Sequence, residues 1–281
     1  MDTLQSNIIG NCQEEILNVS DLSVFRSGCK VIEDINLSIA CGEFVGIVGP
    51  NGGGKSTLIM TILGVLKPKS GSVKIYNQWP LSKGVTGKVG WVPQTASKLP
   101  TNVHITVKEF ITLGTLNWKS FFLPLKKEKL NVKKIIEIVG LEEYANTRIT
   151  HLSGGQRQRA AIGKALASDA DLILMDEPMV GVDRESRNSI MKLLNGLCHE
   201  QNKTIVMISH DITSIKQTVH RMVYLEEKIR FDGPTVDFPG LSELARLRGI
   251  EPNHEETDIV RTKNPDNESI IILVPGKGGE D

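Results

Sequence analysis

Cysteine and aromatic side chains are scarce: four of 281 residues are cysteine and 5% are aromatic. Cys12, Cys29, Cys41 and Cys198 form no CxxC pair, which fits reduced thiols in a cytosolic compartment better than a disulfide framework. No apolar run approaches the roughly 20 residues that cross a bilayer. The start, Met1-Asp2-Thr3-Leu4-Gln5, lacks the basic and apolar regions of a signal peptide. Any membrane association is therefore expected to pass through another protein. Net charge is absent too, with 33 Lys+Arg against 33 Asp+Glu, so the broad cationic field of a non-specific nucleic-acid binder is missing. There is no internal repeat and no low-complexity tract. What is present is an ordinary globular composition, 40% apolar, in a chain long enough to bury roughly 70–75% of its unfolded surface in one principal domain.

Four β-branched runs read as strands covered on both faces of a parallel sheet: Phe44 to Val48, Leu172 to Met175, Thr204 to Ile208 and Met222 to Leu225. Helical patterns lie between them, including Ser56 to Leu66 and Val132, Ile135, Ile136, Val139 at helical spacing. This alternation predicts an α/β core. Ile16 to Ile39 instead shows short alternating stretches and predicts an antiparallel subsheet. From about Thr95 to Ser153 helical patterns dominate, as in a helical insertion. After about Gly240 the chain turns polar; Ile259-Val260 and Ile270 to Val274 flank Asn264-Pro265-Asp266-Asn267, either as a small hairpin or as a frayed tail.

Gly49-Pro50-Asn51-Gly52-Gly53-Gly54-Lys55-Ser56-Thr57 fits the P-loop pattern G-x-x-x-x-G-K-[ST], after a strand and before a helix. Its backbone N–H groups and helix start suit phosphate oxygens. Lys55 is expected to neutralise the β- and γ-phosphates, and the Ser56 hydroxyl to ligate Mg²⁺. The run Leu172 to Met175 delivers Asp176-Glu177-Pro178 to a strand's C-terminal end, where ligands of open α/β sheets bind. Adjacent carboxylates repel and so make sense beside a cation: Asp176 to hold Mg²⁺, directly or through water, and Glu177 to polarise the attacking water. Leu152-Ser153-Gly154-Gly155-Gln156 precedes a helical run and could be a second anion site or an ordinary helix cap.

Taken together, the P-loop, Leu152 to Gln156 and Leu172 to Pro178 resemble the ATP-binding cassette (ABC) ATPases, the motor subunits of ABC transporters, over roughly Ile16 to Gly233. The resemblance implies a P-loop NTPase fold with a parallel core sheet, an N-terminal antiparallel β-subdomain and an inserted helical subdomain at about 95–160. It places the ATPase domain at 16–240, between an N-terminal extension (1–15) and a C-terminal extension (241–281). It also implies a head-to-tail dimer in which each ATP lies between one copy's P-loop and the signature turn Ser153, Gly154, Gly155, Gln156 of the other. By the same resemblance Gln94 contacts Mg²⁺ and the attacking water and begins the link to the membrane partner. His210 contacts the γ-phosphate, and Asp183 crosses the dimer interface while also able to cap a helix. Phe25 stands where the family usually has a tyrosine stacked on adenine, though it could equally be a core residue.

The Gly52-Gly53-Gly54 form of the P-loop, the Leu99-Pro100 to Val107 segment and Met179-Val180-Gly181-Val182-Asp183 resemble the cassettes of bacterial zinc and manganese importers. The implied function is ATP hydrolysis powering divalent-metal import, with ATP and Mg²⁺ as cofactors. The partners would be a second copy, a membrane permease and, indirectly, a substrate-binding protein, with the chain peripheral on the cytoplasmic face of the inner membrane. The alternatives are the same motor serving a metal chelate such as a siderophore or haem, or another solute, or a soluble ABC ATPase in cofactor assembly. His254, Glu255 and Glu256 read as a solvated acidic stretch, and no tightly held transport metal is expected on this subunit.

Overall fold

The computed structural model describes residues 15–94, 104–116, 126–240, 243–244, 257–263 and 269–275. They fall into two units, Met1–Val236 and Asp237–Asp281.

In the first unit the elements run β1 (Glu15–Arg26), β2 (Cys29–Ala40), β3 (Phe44–Val48), α1 (Lys55–Ile62), β4 (Ser70–Ile75), β5 (Val89–Val92), α2 (Val107–Thr112), α3 (Lys126–Ile138), α4 (Gly154–Ala167), β6 (Leu172–Asp176), α5 (Arg184–Gln201), β7 (Thr204–Ile208), α6 (Ile212–Lys216), β8 (Arg221–Glu226) and β9 (Lys228–Pro234). Every residue of β3, β6 and β7 is buried, which is why these strands are apolar without alternation. They form the centre of a six-stranded sheet ordered β5-β6-β7-β3-β8-β9. All neighbours pair in parallel except β9, which returns antiparallel along β8.

The N-terminal residues form a separate antiparallel sheet ordered β2-β1-β4. Its hairpin turns on Ser27 and Gly28, with φ of 50° and 80°, the left-handed pair that a two-residue turn between twisted strands requires. The sequence pattern suggested short strands here; β1 and β2 are 12 residues each. Register shifts break their alternation. At one, Asp21 takes φ 47° and its N–H donates to Asn36 Oδ1 at 3.0 Å. The two sheets share a hydrophobic core that joins Leu17, Leu22 and Ile35 to Ile47, Leu58 and Leu174.

Helix α1 is shorter than the expected Ser56 to Leu66. It ends at Ile62 because Gly64 adopts φ 75°. Gly64 N–H donates to Thr61 O and Val65 N–H to Met60 O, both at 2.9 Å, the paired closure that a left-handed glycine allows. Helices α2, α3 and α4 pack on one another, and Val132, Ile135, Ile136 and Val139 are all buried. Residues 95–103, which include Leu99 and Pro100, lie outside the described residues, as do 1–14.

In the second unit, β10 (Thr257–Lys263) and β11 (Ser269–Pro275) pair antiparallel, Val260 opposite Ile272. His254, Glu255, Glu256 and Asn264 to Asn267 lie outside the described residues.

Candidate functional site

The site is built on the C-terminal ends of four adjacent strands. β3 leads into the P-loop and β6 ends at Asp176-Glu177; β7 leads to Ser209-His210, and β5 leads to Gln94. The turn after β3 is a tight main-chain cradle. A Cβ on Gly49 would lie 2.0 Å from Leu225 O, and one on Gly54, at φ 95°, 2.2 Å from Ile32 Cγ2, so neither position admits a side chain. Gly54 also serves as the left-handed cap of α1 with no side-chain bond of its own, leaving the first N–H groups of the helix for a ligand.

Lys55 is buried, and its ammonium donates to Gly49 O at 2.9 Å and Pro50 O at 2.8 Å. Burial pushes its pKa down, while the Glu177 and Asp176 carboxylates pull it back up. Asp176 is also buried. Burial first, and then Glu177, raise its pKa, against a hydrogen bond from the Ser56 hydroxyl and the nearby Lys55 charge. Two neighbouring carboxylates in a low-dielectric pocket are short of positive charge. Mg²⁺ fits this donor set: the Ser56 hydroxyl and Asp176 carboxylate are hard oxygens already joined to each other, and hard oxygens suit that cation.

Glu177 adopts φ 45°, a left-handed conformation that costs a non-glycine residue of order 1–3 kcal/mol and persists only when its surroundings enforce it. Its N–H is fixed to Ile208 O at 3.1 Å. Its Oε2 accepts from Gln94 Nε2 at 2.9 Å and faces His210 Nδ1 at 3.3 Å. Gln94, Glu177 and His210, separated by up to 116 positions in sequence, thus meet on one carboxylate oxygen.

The turn Ser153 to Gln156 is elsewhere in the chain's own fold. Ser153 Oγ accepts from Gln156 N at 3.2 Å, and Gln156 Oε1 accepts from Ser153 N at 2.9 Å, a reciprocal cap that starts α4. Its neighbours are the segment before α5: a Cβ on Gly154 would lie 3.1 Å from Gly181 O, and one on Gly155 2.5 Å from Ser186 Cβ. Asp183 caps α5 through Ser186 N at 2.9 Å. Ser153 and Asp183 are both exposed, side by side and unused by the P-loop of the same chain. Phe25 is 46% exposed, so it is not a core residue. It pairs with Lys30 on β2, the strand whose Ile32 abuts Gly54.

A cavity of about 560 Å³ opens at the opposite edge of the sheet beside Cys198, His199 and His220. There His220 Nδ1 accepts the Phe44 N–H at 3.3 Å, and the two histidines approach Nε2 to Nε2 at 3.3 Å. With Nδ1 accepting, a neutral His220 carries its proton on Nε2 and donates it to His199. The pair is a hydrogen bond, not a metal seat, and among the described residues no cluster of three or more ligating side chains exists. Sequence reasoning missed one part of the first site, the Arg187–Asp211 ion pair at 2.8 Å, for which no motif exists.

The ABC transporter family model matches residues 32–180. The high-affinity zinc uptake system ATP-binding protein ZnuC of Bacillus subtilis is 35% identical over 75% of this chain and 91% of its own length. The manganese transport system ATP-binding protein MntB of Halalkalibacterium halodurans is 33% identical over 79% of this chain and 87% of its own. A dimeric ATP-binding cassette in a post-hydrolysis state, bound to ADP and Pi, superposes with a TM-score of 0.66 at 30% identity, covering 79% of this chain and all of that one. With a P-loop, an Asp-Glu strand end and a capped signature turn on this sheet, the chain belongs to the ABC transporter family, as an ATP-hydrolysing cassette.

Proposed function

We propose that the chain is the motor subunit of an importer for a divalent metal ion, zinc or manganese, which crosses the membrane through a separate permease. The observation that carries the hydrolytic half is the meeting of Lys55, Asp176 and Glu177 at one sheet edge. The cargo rests on the relatives, whose printed roles are zinc uptake and manganese transport. Among the described residues no helix is long and apolar enough to cross a membrane. In this reading the chain works from the cytoplasmic face, through its permease.

In this reading the Gly49–Thr57 loop wraps the triphosphate and Lys55 leaves its two carbonyl partners for the β- and γ-phosphate oxygens. Ser56, Asp176 and the amide oxygen of Gln94 would hold Mg²⁺, which when bound supplies positive charge to the phosphate oxygens. Glu177 orients water for in-line attack: the bond from water oxygen to γ-phosphorus forms as the bond to the bridging oxygen breaks, and the carboxylate takes the water's proton. His210 holds the γ-phosphate and Phe25 stacks on the adenine ring. A second copy contributes Ser153, Gly154, Gly155 and Gln156 to the same γ-phosphate, with Asp183 across the interface. Hydrolysis then removes the contact that keeps the two copies closed.

The test is metal uptake by vesicles containing the chain with its permease and a binding protein. ATP-driven accumulation of zinc or manganese is expected, and the Glu177→Gln complex should accumulate none. Transport of a metal chelate with no uptake of either free ion would overturn the cargo.

A further inference from the structure

Arg187 lies one turn into α5, just after Asp183, and reaches across to the loop that carries His210. Its Nη1 donates to Asp211 Oδ2 at 2.8 Å and to Ser214 Oγ at 3.3 Å, and its Nη2 to Val182 O at 3.5 Å. The guanidinium N–H on Nε is buried without a partner, a cost that a side chain free to turn outward would not bear. Asp211 is equally committed. Its Oδ1 accepts from Ser214 N at 3.1 Å, and its own N–H donates to Ser209 Oγ at 3.0 Å, capping α6. Its carboxyl is held below its ordinary range first by the hydrogen bond from the Ser214 hydroxyl, then by the Ser214 N–H, Arg187 and His210. A cavity of 170 Å³ is lined by Glu177, Met179, Arg187, His210 and Asp211 together.

The fork therefore ties the Gly181–Asp183 segment, through the Val182 carbonyl, to the residue that follows His210. We infer that Arg187 is a positioning residue for hydrolysis: its ion pair with Asp211 fixes His210 relative to Glu177 and makes that position depend on the Asp183 segment facing the second copy. The inference rests on the reading of Glu177 and His210 given above. A planar, two-pronged cation is needed because one group must hold a carboxylate and a carbonyl at once. Lysine offers a point charge and would satisfy one of them.

Steady-state ATPase kinetics on the full-length chain test this, with Arg187→Met, Asp211→Asn, the double variant and Arg187→Lys. Asparagine keeps the α6 cap, so Asp211→Asn removes the ion pair and, beside it, only the bond that Oδ2 accepts from the Ser214 hydroxyl. Measured well below each thermal midpoint, both single variants should lose roughly ten- to hundredfold in kcat with KM and nucleotide affinity within about threefold of the parent. The double variant should be no slower than the worse single one, the signature of a shared interaction, and Arg187→Lys should recover part of the loss. A folded Arg187→Met protein with parental kcat, or losses that multiply in the double variant, would overturn the inference. Glu177→Gln, assayed alongside, separates the two ideas: if it turned over normally, the site reading itself would be wrong whatever Arg187 did.

Discussion

Asp176 shows what the site costs the fold. A carboxyl whose pKa is raised on folding binds its proton more tightly in the native chain than in the unfolded one. Stability therefore falls as pH rises from the ordinary carboxylate value near 3.8 through the raised one, and the full penalty stands at neutral pH. The nucleotide-free Asp176→Asn variant should accordingly melt above the parent at pH 7, with the gap closing towards pH 3.8, while its Mg²⁺-dependent ATPase is lost by several orders of magnitude. Calorimetry across that pH range, with and without MgATP, checks both halves. At this scale the sequence was readable wherever a residue type had a fixed neighbour: Lys55 and Ser56 follow from the glycine spacing, and Asp176 and Glu177 from the strand before them. His210 and Gln94 carried no such mark on their own, because a histidine or glutamine after a strand is commonplace. Arg187 and Asp211 were illegible, because an ion pair across 24 positions is created only when the first turn of α5 meets the loop that caps α6.

Helix α4 separates stability from binding. Ser153 both closes the first turn of the helix and stands exposed at its positive end. Ser153→Ala should cost about 1 kcal/mol, a drop in thermal midpoint of roughly 2–4 °C for a chain of this size. Ser153→Asp should keep the cap and the midpoint, yet abolish ATP-dependent dimers and turnover, because it sets a negative charge where a γ-phosphate must dock. Differential scanning fluorimetry with a phosphate-release assay distinguishes the two variants; an active Ser153→Asp protein would refute the role of this turn. The buried strands β3, β6 and β7 were legible because both faces are covered and apolar character runs unbroken. Strands β4, β5 and β9 were not. β4, Ser70–Ile75, opens on Ser-Gly-Ser; β5 is four residues long, and β9 is an edge strand with alternating charge. Each is held by its neighbours' hydrogen bonds more than by its own hydrophobicity.

Across the whole molecule, the proposed phosphate sites at the P-loop and the Ser153 turn make sense only in pairs. The Ser153 turn and Asp183 have no phosphate site of their own chain beside them among the described residues, whereas Lys55 has a cradle open to an incoming partner. With MgATP, Glu177→Gln should shift from monomer to dimer, with turnover reduced at least a hundredfold, and should dissociate when nucleotide is removed. Light scattering during nucleotide exchange measures this, and a Glu177→Gln protein that stayed monomeric at saturating MgATP would contradict the paired arrangement. A neutral overall charge suits such pairing, since two copies approach without a repulsive field.

The four loops that carry the chemistry hang from β5, β6, β7 and β3, consecutive members of one ladder. Parallel neighbours sit about 4.8 Å apart, so the span between the end of β5, before Gln94, and the end of β3, before the P-loop, is fixed at about 14 Å, three intervals, by main-chain hydrogen bonds alone. The ruler of the site is thus the backbone. Side-chain substitution can dull or sharpen individual contacts along it, but only an inserted strand would lengthen it, and this constancy lets one triphosphate fit the same edge however far the rest of the sequence drifts.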